Sequence, residues 1–352
     1  MHLGFLGCCS LIYWIGSQAT ISAILWKINT VEVVSGEQFG REDASMIKRQ
    51  GRRLEHENSA DIPPGKYPFL GLFFDKAEQR CAATLTTPKM SMTSCHCLVK
   101  DRDSGFKAPH KLIDPKTVEL LMGAVYLTDS WGVRAKPDKL GVHPECQIVV
   151  SREGFTITYD YGILLFPKEI PVSKVVSPLS LPNFQERSLI DEMVRGEVPC
   201  VLIGWGKTDL ISEGNHSVIM TEDEGKLKTR EWCGKAIKEF GIKEKLPVEI
   251  KFTDTDICAS VVGKNKSVCG GDLGGPLLCG TAQKQMIGVV SWSPKCAVEG
   301  DPIVYNRLDI ANDWINQVME NGLSSARRLY VFNWHVISSA AFSIMKYIRF
   351  MA

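Results

Sequence analysis

Hydrophobic residues occur in short runs along the central part of the chain, and clusters of Pro, Gly, Asp and Lys separate the runs. In the first half these runs are Pro68–Phe74, Val118–Leu121, Ile148–Val150 and Tyr161–Phe166. Short apolar runs bounded by turn-forming residues are typical of β-strands. The pattern from Gly65 to about Leu181 therefore predicts antiparallel β-structure.

A second β-rich half follows and ends in a helix. The predicted strands are Pro199–Trp205, Val248–Phe252 and Met286–Trp292. Near the end of this half, apolar residues recur at helical spacing, namely Ile310, Trp314, Ile315 and Val318. This spacing predicts a helix over Asp309–Gly322 that closes the domain.

The beginning of the chain has a different composition. In residues 1–19 an apolar run, Leu3–Ile15, is followed by Ser17-Gln18-Ala19, which is typical of a signal peptide with its cleavage site. No Lys or Arg precedes the run and apolar character resumes through Trp26, so an uncleaved signal anchor is the alternative. Residues 27–60 are polar and mixed in charge, and this indicates that the segment 20–55 is a linker or a pro-segment.

The end of the chain, residues 323–352, is an apolar and basic tail. Its apolar stretch Leu329–Met345 is interrupted at Asn333 and His335, and it falls short of the roughly 20 apolar residues of a spanning helix. The stretch is either an interfacial helix or a disordered tail. A membrane-associated protein held by Leu3–Trp26 or Leu329–Met345 is therefore one functional hypothesis, although a peripheral appendage is favoured.

The composition is that of a soluble globular protein in an oxidising compartment. Of 352 residues, 44% are hydrophobic and 23% charged, and the net charge of +1 gives no reason to expect a nucleic-acid partner. The sequence contains no nucleotide-binding loop and no zinc-type pair of cysteines, so neither a cofactor nor a metal is expected. Twelve cysteines indicate a disulfide framework and secretion. In a secreted protein, the sequons at Asn215 and Asn265 would be glycosylation sites.

Several segments resemble the trypsin/chymotrypsin family of serine proteases, and they occur in the family's order over about residues 56–320. They are Cys81–Leu85 with Thr93–Cys97, Asp160–Phe166, Leu179–Pro182, Cys200–Gly206, Ile257–Ala259, Cys269–Leu277, Val289–Trp292 and Asp301–Tyr305. The resemblance implies an all-β domain over residues 56–322: two packed six-stranded antiparallel β-barrels with a C-terminal helix.

The resemblance also implies disulfide pairs. They are Cys81–Cys97, Cys200–Cys279, Cys233–Cys258 and Cys269–Cys296. Cys8 and Cys9 fall in the signal segment. Cys95 and Cys146 remain, and they either pair with each other or stay as free thiols.

The same resemblance assigns the catalytic positions of a serine protease. His96 matches the general base and Asp160 the carboxylate that orients it. Leu273 stands where the family has its nucleophilic serine, and its side chain has neither a hydroxyl nor a thiol. The backbone N–H groups of Gly271 and Leu273 match the oxyanion hole.

The specificity pocket departs from the family as well. Its base matches Ser267, and its two wall glycines match Ser293 and Ile303, so we expect Ile303 to intrude where a substrate side chain would enter. In the family, a new N-terminal ammonium pairs with the aspartate that matches Asp272. The matching N-terminal stretch here, His56–Ser59, is polar and lacks small glycines.

Together these features predict a secreted, catalytically inactive serine protease homologue. It would act by binding proteins, as a cofactor, decoy or scaffold for proteases or their substrates. The alternative is a hydrolase of this family with an unconventional nucleophile or weak residual activity. Cys95 is a poor candidate for that nucleophile, because neighbours on an extended chain point to opposite sides and His96 is its neighbour.

Overall fold

The computed structural model describes residues 62–323, except for short segments. The segments left out are 101–108, 127–128, 130–131, 152–153, 185–187, 206–219, 247–248, 264–267, 270–271, 283, 294–295 and 298. The predicted signal segment 1–19, the segment 20–55 and the tail from residue 324 lie outside the described residues, as do Asn215 and Asn265.

The described residues are mainly β-strands. The strands are β1 Leu70–Asp75, β2 Glu78–Thr87, β3 Met90–Thr93, β4 Val118–Met122, β5 Val133–Ala135, β6 Lys139–Val142, β7 Gln147–Ser151, β8 Gly154–Thr158, β9 Gly162–Leu165, β10 Pro199–Gly204, β11 Thr221–Lys228, β12 Asp256–Val261, β13 Val268–Cys269, β14 Pro276–Cys279, β15 Gln285–Trp292, β16 Cys296–Ala297 and β17 Ile303–Arg307. The helices are α1 Cys95–Leu98, α2 Ser188–Arg195, α3 Arg230–Lys243 and α4 Leu308–Asn321.

The strands build two antiparallel units. The first is a seven-stranded sheet in the order β5-β4-β1-β2-β3-β9-β6, curled into a half-barrel. The second is a closed six-stranded barrel in the order β10-β11-β12-β17-β15-β14. Helix α4 follows the second barrel and contacts β15. The predicted all-β double barrel with a C-terminal helix is confirmed, and its first half has seven strands because the short β5 and β6 extend the sheet at its two ends.

The two halves share one hydrophobic core. Leu72 of β1, Ile163 of β9 and Leu277 of β14 are fully buried members of a single cluster that spans both. In strand β11, buried positions alternate with more exposed positions, as expected for a strand with one face in the core. Strand β15 is instead buried along almost its whole length, because it lies between the barrel interior and α4.

The sequence prediction is wrong at one strand and misses three helices. Over Val248–Phe252 the described residues form no strand; Ile250 makes only an isolated parallel bridge with Phe155. Helices α1, α2 and α3 had no prediction. In α3 only Cys233, Ala236 and Ile237 are buried, so its apolar stripe is too narrow to stand out in the sequence.

Four disulfides cross-link the described residues. Three are pairs that the resemblance implied: Cys81–Cys97, Cys200–Cys279 and Cys233–Cys258. The fourth joins Cys95 to Cys146, so these two cysteines pair with each other. The side chains of Cys269 and Cys296 lie outside the described part, but their backbones stand opposite each other in the β13–β16 ladder. Direct antiparallel partners are close enough for a disulfide.

In the part of the chain that the structure describes, no helix is both long enough and apolar enough to cross a bilayer.

Candidate active site

Strand pairing brings His96 and Asp160 together. His96 lies in α1, directly after β3, and Asp160 lies just before β9. Strands β3 and β9 are antiparallel partners, with Thr93 opposite Gly162. A side chain at Gly162 would be 2.7 Å from the carbonyl oxygen of Ser94, so a glycine is needed for this close approach.

Asp160 is buried and fully engaged by hydrogen bonds. The backbone N–H of His96 donates to Oδ1 over 2.9 Å, and the ring Nδ1 donates to Oδ2 over 2.7 Å. The hydroxyl of Ser291 also donates to Oδ2, over 2.7 Å. The contact between Nδ1 and Oδ2 orients the imidazole ring through Nδ1, so Nε2 is the ring nitrogen that Asp160 does not engage.

His96 is as deeply buried as its partner. Its side chain is 1% exposed and that of Asp160 is 0% exposed. The ring nitrogen Nε2 lies 3.7 Å from Sγ of Cys97, a sulfur that is already in a disulfide. A base enclosed in this way has little access to solvent.

Leu273, which the resemblance sets at the nucleophile position, lies on the loop before β14, and its side chain is part of the core. It is 6% exposed and belongs to the cluster that spans both halves. Its carbonyl accepts the N–H of Ala82 over 2.8 Å, and the N–H of Gly274 donates to Val290 over 2.9 Å. The backbone of the loop is thus anchored to both halves of the fold.

The backbone conformation and close surroundings of Gly274 require a glycine at this position of the loop. Its φ of +82° lies in the left-handed region, and a Cβ would be 2.2 Å from Oγ1 of Thr93. The oxyanion position expected at Gly271 lies outside the described residues. The other expected donor, the N–H of Leu273, belongs to the described loop.

The two residues that were predicted to form the walls of the specificity pocket are both buried. Ile303 begins β17 opposite Ala259 and is 0% exposed, and Ser293 is 7% exposed. Next to Ser293, the indole of Trp292 packs edge-on against Phe240 at 5.6 Å between ring centroids. Ser267, which matches the pocket base, lies outside the described residues.

Asp272 is buried beside the second barrel. A Cβ at Gly204 would be 1.7 Å from Oδ1 of Asp272, so the carboxylate occupies the space that this glycine leaves. Burial raises the pKa of the Tyr305 hydroxyl, and the nearby charge of Asp272 raises it further. The segment His56–Ser59, which the resemblance set against Asp272, is not part of the described chain.

Asn306 links a further buried acid, Asp256, to Asp160. Oδ1 of Asn306 accepts the backbone N–H of Asp160 over 2.5 Å, and Nδ2 donates to Asp256 over 2.8 Å. Burial raises the pKa of Asp256 to about 7, although the N–H and hydroxyl of Thr253 also donate to it. The sequence analysis did not identify Asp256 or Asn306. The only indication in the sequence was that each is a polar residue among apolar neighbours, Asp256 in β12 and Asn306 in β17.

The cysteine and histidine clusters near the site are not open metal sites. His96 lies near Cys81 and Cys97, and His110 lies near Cys95 and Cys146. Metals bind the thiolate form of cysteine, and all four sulfurs are in disulfides. The two cysteines that adjoin His96 in sequence, Cys95 and Cys97, are therefore both in disulfides.

Comparisons with known proteins agree with this geometry. Kallikrein-11 of Mus musculus is 28% identical over 311 residues, which are 84% of this chain and 97% of that protein. Trypsin 5G1 of Aedes aegypti is 26% identical over 73% of this chain and 82% of its own length. Transmembrane protease serine 9 of Rattus norvegicus is 24% identical over 74% of this chain, which spans only 22% of that protein.

The family model described as Trypsin matches residues 58–315, which include the half-barrel, the closed barrel and the start of α4. With the double barrel and the paired His96 and Asp160, this match shows that the chain belongs to the trypsin family of serine proteases.

Proposed function

We propose that this protein is a secreted, catalytically inactive member of the trypsin family that acts by binding other proteins. The observation that carries the proposal is Leu273, an aliphatic side chain at the position of the nucleophile. Acyl transfer in this family requires an oxygen nucleophile whose proton a histidine accepts. A leucine side chain has no lone pair with which to attack a carbonyl.

The environment of the histidine supports the same conclusion. Asp160 engages Nδ1 of His96, so Nε2 is the ring nitrogen that would act as the general base. Nε2 lies 3.7 Å from the disulfide sulfur of Cys97. Cys95 is bound to Cys146 and supplies no thiolate, so the unconventional nucleophile considered above has no support from this residue.

The proposed pocket walls argue against ordinary substrate binding. Ile303 is completely buried in the shared core, where the family has a small residue. Filling the entrance of a pocket with a branched side chain excludes the substrate side chain that would otherwise enter. We therefore infer that restoring a hydroxyl at position 273 would leave a second obstacle to cleavage.

Binding is the function that such a scaffold retains. Loops on a rigid framework accept new sequences readily and commonly carry recognition. Four disulfides and the kallikrein-11 relative indicate an extracellular protein. The partners that we propose are proteases, their substrates or their inhibitors, with the signal segment 1–19 directing secretion.

A labelling experiment tests the loss of activity. The full-length, disulfide-bonded protein is treated with a fluorophosphonate probe and assayed on casein and on a peptide panel, with trypsin as the positive control. We expect neither labelling nor turnover. Stoichiometric labelling that disappears in a His96→Ala variant would show an active nucleophile and overturn the proposal.

A capture experiment tests the binding function. The native secretion is passed over the folded protein and, as a control, over the reduced and alkylated protein, and bound partners are identified by mass spectrometry. We expect a protease, a protease substrate or an inhibitor on the folded protein alone. Equal capture by both forms would contradict a folded binding site.

A further inference from the structure

A groove runs along one side of the C-terminal helix, between α4 and the loop of residues 178–184. Its volume is about 670 Å³, within the range of about 300–1,000 Å³ that is usual for binding sites. The helix contributes Asn312, Asn316 and Met319, which are spaced so that they lie on one face. The loop contributes Leu181 and Phe184.

The groove is uncharged and partly apolar. None of the residues that line it is Asp, Glu, Lys, Arg or His, and its polar groups are amides and hydroxyls. Met319 is 47% exposed at the end of the helix, and it is among the few large apolar side chains of the described residues that remain open to solvent. An exposed apolar surface rimmed by neutral polar groups is typical of a docking site.

We propose that this groove binds the protein's own C-terminal segment, Leu329–Met345. The segment has no Asp, Glu, Lys or Arg, in a chain of which 23% is charged. It therefore matches the uncharged groove, and burying it there leaves no side-chain charge without a partner. The cations that flank it remain outside in solvent: Arg327, Arg328, Lys346 and Arg349.

The path of the chain favours this occupant. Helix α4 ends at Asn321 and is capped by Gly322, whose φ is +71° and whose N–H donates to the carbonyl oxygen of Val318. Leu323, the next residue, packs against Gly141 of β6. Residues 324–328 can extend about 17 Å. The segment therefore starts within reach of Met319, which lies less than one turn before the end of the helix.

Because the segment is tethered to the domain, weak contacts are sufficient for it to bind the groove. A segment joined by a short linker experiences an effective concentration in the millimolar range. The aromatic residues Tyr330, Phe332 and Trp334 alternate along the segment, so an extended chain would present all three to one side. A groove of this size has room for a few such side chains.

Photo-crosslinking in the full-length, disulfide-bonded protein tests the proposal. The photoreactive residue p-benzoylphenylalanine replaces Met319 in one protein and Ile242 in a second. Ile242 is a matched control because it is also exposed, at 69%, and lies near the end of another helix. We expect intramolecular crosslinks to 329–345 from position 319, about tenfold more than from position 242.

Two variants of the segment test the chemistry of the contact. Phe332→Asp together with Trp334→Asp should reduce the crosslinks about tenfold, because the groove offers no charge to pair with the new carboxylates. Ser338→Asp together with Ser339→Asp adds the same charge away from the aromatic residues and should leave them unchanged. Equal loss in both variants would show that charge alone matters and would overturn the aromatic contact.

The remaining outcomes identify other occupants. Equal crosslinking from positions 319 and 242 would mean that the segment has no fixed site. Crosslinks found only in a dimer would assign the groove to a second copy of the chain. If vesicles of phosphatidylcholine and phosphatidylserine bind the protein and abolish the crosslinks, the segment binds lipid instead. Each of these results overturns the proposal.

Discussion

Leu273→Ser is the most informative single substitution, because it places a hydroxyl at the proposed nucleophile position and also removes a buried side chain. The leucine is 6% exposed and packs in the cluster shared by the two halves. Replacing a buried leucine by alanine costs about 2–5 kcal/mol in other proteins. Serine is similar in size, and a hydrogen bond from its hydroxyl to His96 would recover about 1 kcal/mol. We expect a net loss of about 1–4 kcal/mol in the free energy of unfolding.

Urea unfolding followed by tryptophan fluorescence measures this loss. A folded domain is usually stable by about 5–15 kcal/mol, so the variant should still fold. Val172→Ser is the control, because Val172 is 59% exposed and its truncation should change the stability by less than about 0.5 kcal/mol. An unchanged unfolding midpoint for Leu273→Ser would show that the leucine side chain does not support the core.

Ester hydrolysis measures the second consequence. Because Ile303 remains buried in the pocket wall, we expect the folded Leu273→Ser protein to hydrolyse small esters no faster than the unchanged protein. Turnover near that of an ordinary member of the family would refute the reasoning, since the hydroxyl would then be the only part that was missing.

Three further predictions follow from the described contacts. Burial raises the pKa of Asp256 from 3.8 to about 7, so the folded protein keeps a proton that the unfolded chain releases; the contribution of this group to stability should fall as the pH rises from about 4 to 7. Asp256→Asn should remove this slope in urea unfolding, and an identical slope in the variant would exclude Asp256 as its source. Gly234→Ala should raise the unfolding free energy by about 0.5–1 kcal/mol, since a Cβ in α3 meets no atom within 4 Å, whereas Gly274→Ala should lower it; the opposite order would contradict the geometry. Replacing Cys95 and Cys146 by alanine should cost up to about 4 kcal/mol, because the bond closes a loop with a sequence separation of 51, and an unchanged melting temperature would show that it contributes nothing.

Apolar runs and family motifs predicted much of the fold from the sequence. The runs at Val118–Leu121 and Met286–Trp292 correspond to β4 and β15, which are buried over most of their length and are therefore mainly apolar. The predicted helix at Asp309–Gly322 became α4, whose buried residues repeat at helical spacing. The apolar run Val248–Phe252 also predicts a strand, but Ile250 makes only a single bridge, to Phe155. Phe155 belongs to the β7–β8 hairpin, which is distant in sequence.

Part of the site could be predicted in the same way, and part could not. His96, Asp160 and Leu273 each lie within a local motif, so their positions followed from the order of the segments. The roles of Ser291 and Asn306 depend on hydrogen bonds to Asp160 over sequence separations of 131 and 146. No periodicity or local motif contains such information, because it arises only when the two halves pack together.

The hydrogen bonds of Asp160 have a consequence for how the molecule comes apart. Every disulfide of the described residues lies within one half: two in the half-barrel region and two in the closed barrel. The halves are therefore joined by packing and by polar contacts such as those from Ser291 and Asn306, which close very long loops and should make folding slow. The buried pair of His96 and Asp160 would then lie at the junction between the two halves. We expect denaturant to separate the two halves before either disulfide-linked half unfolds.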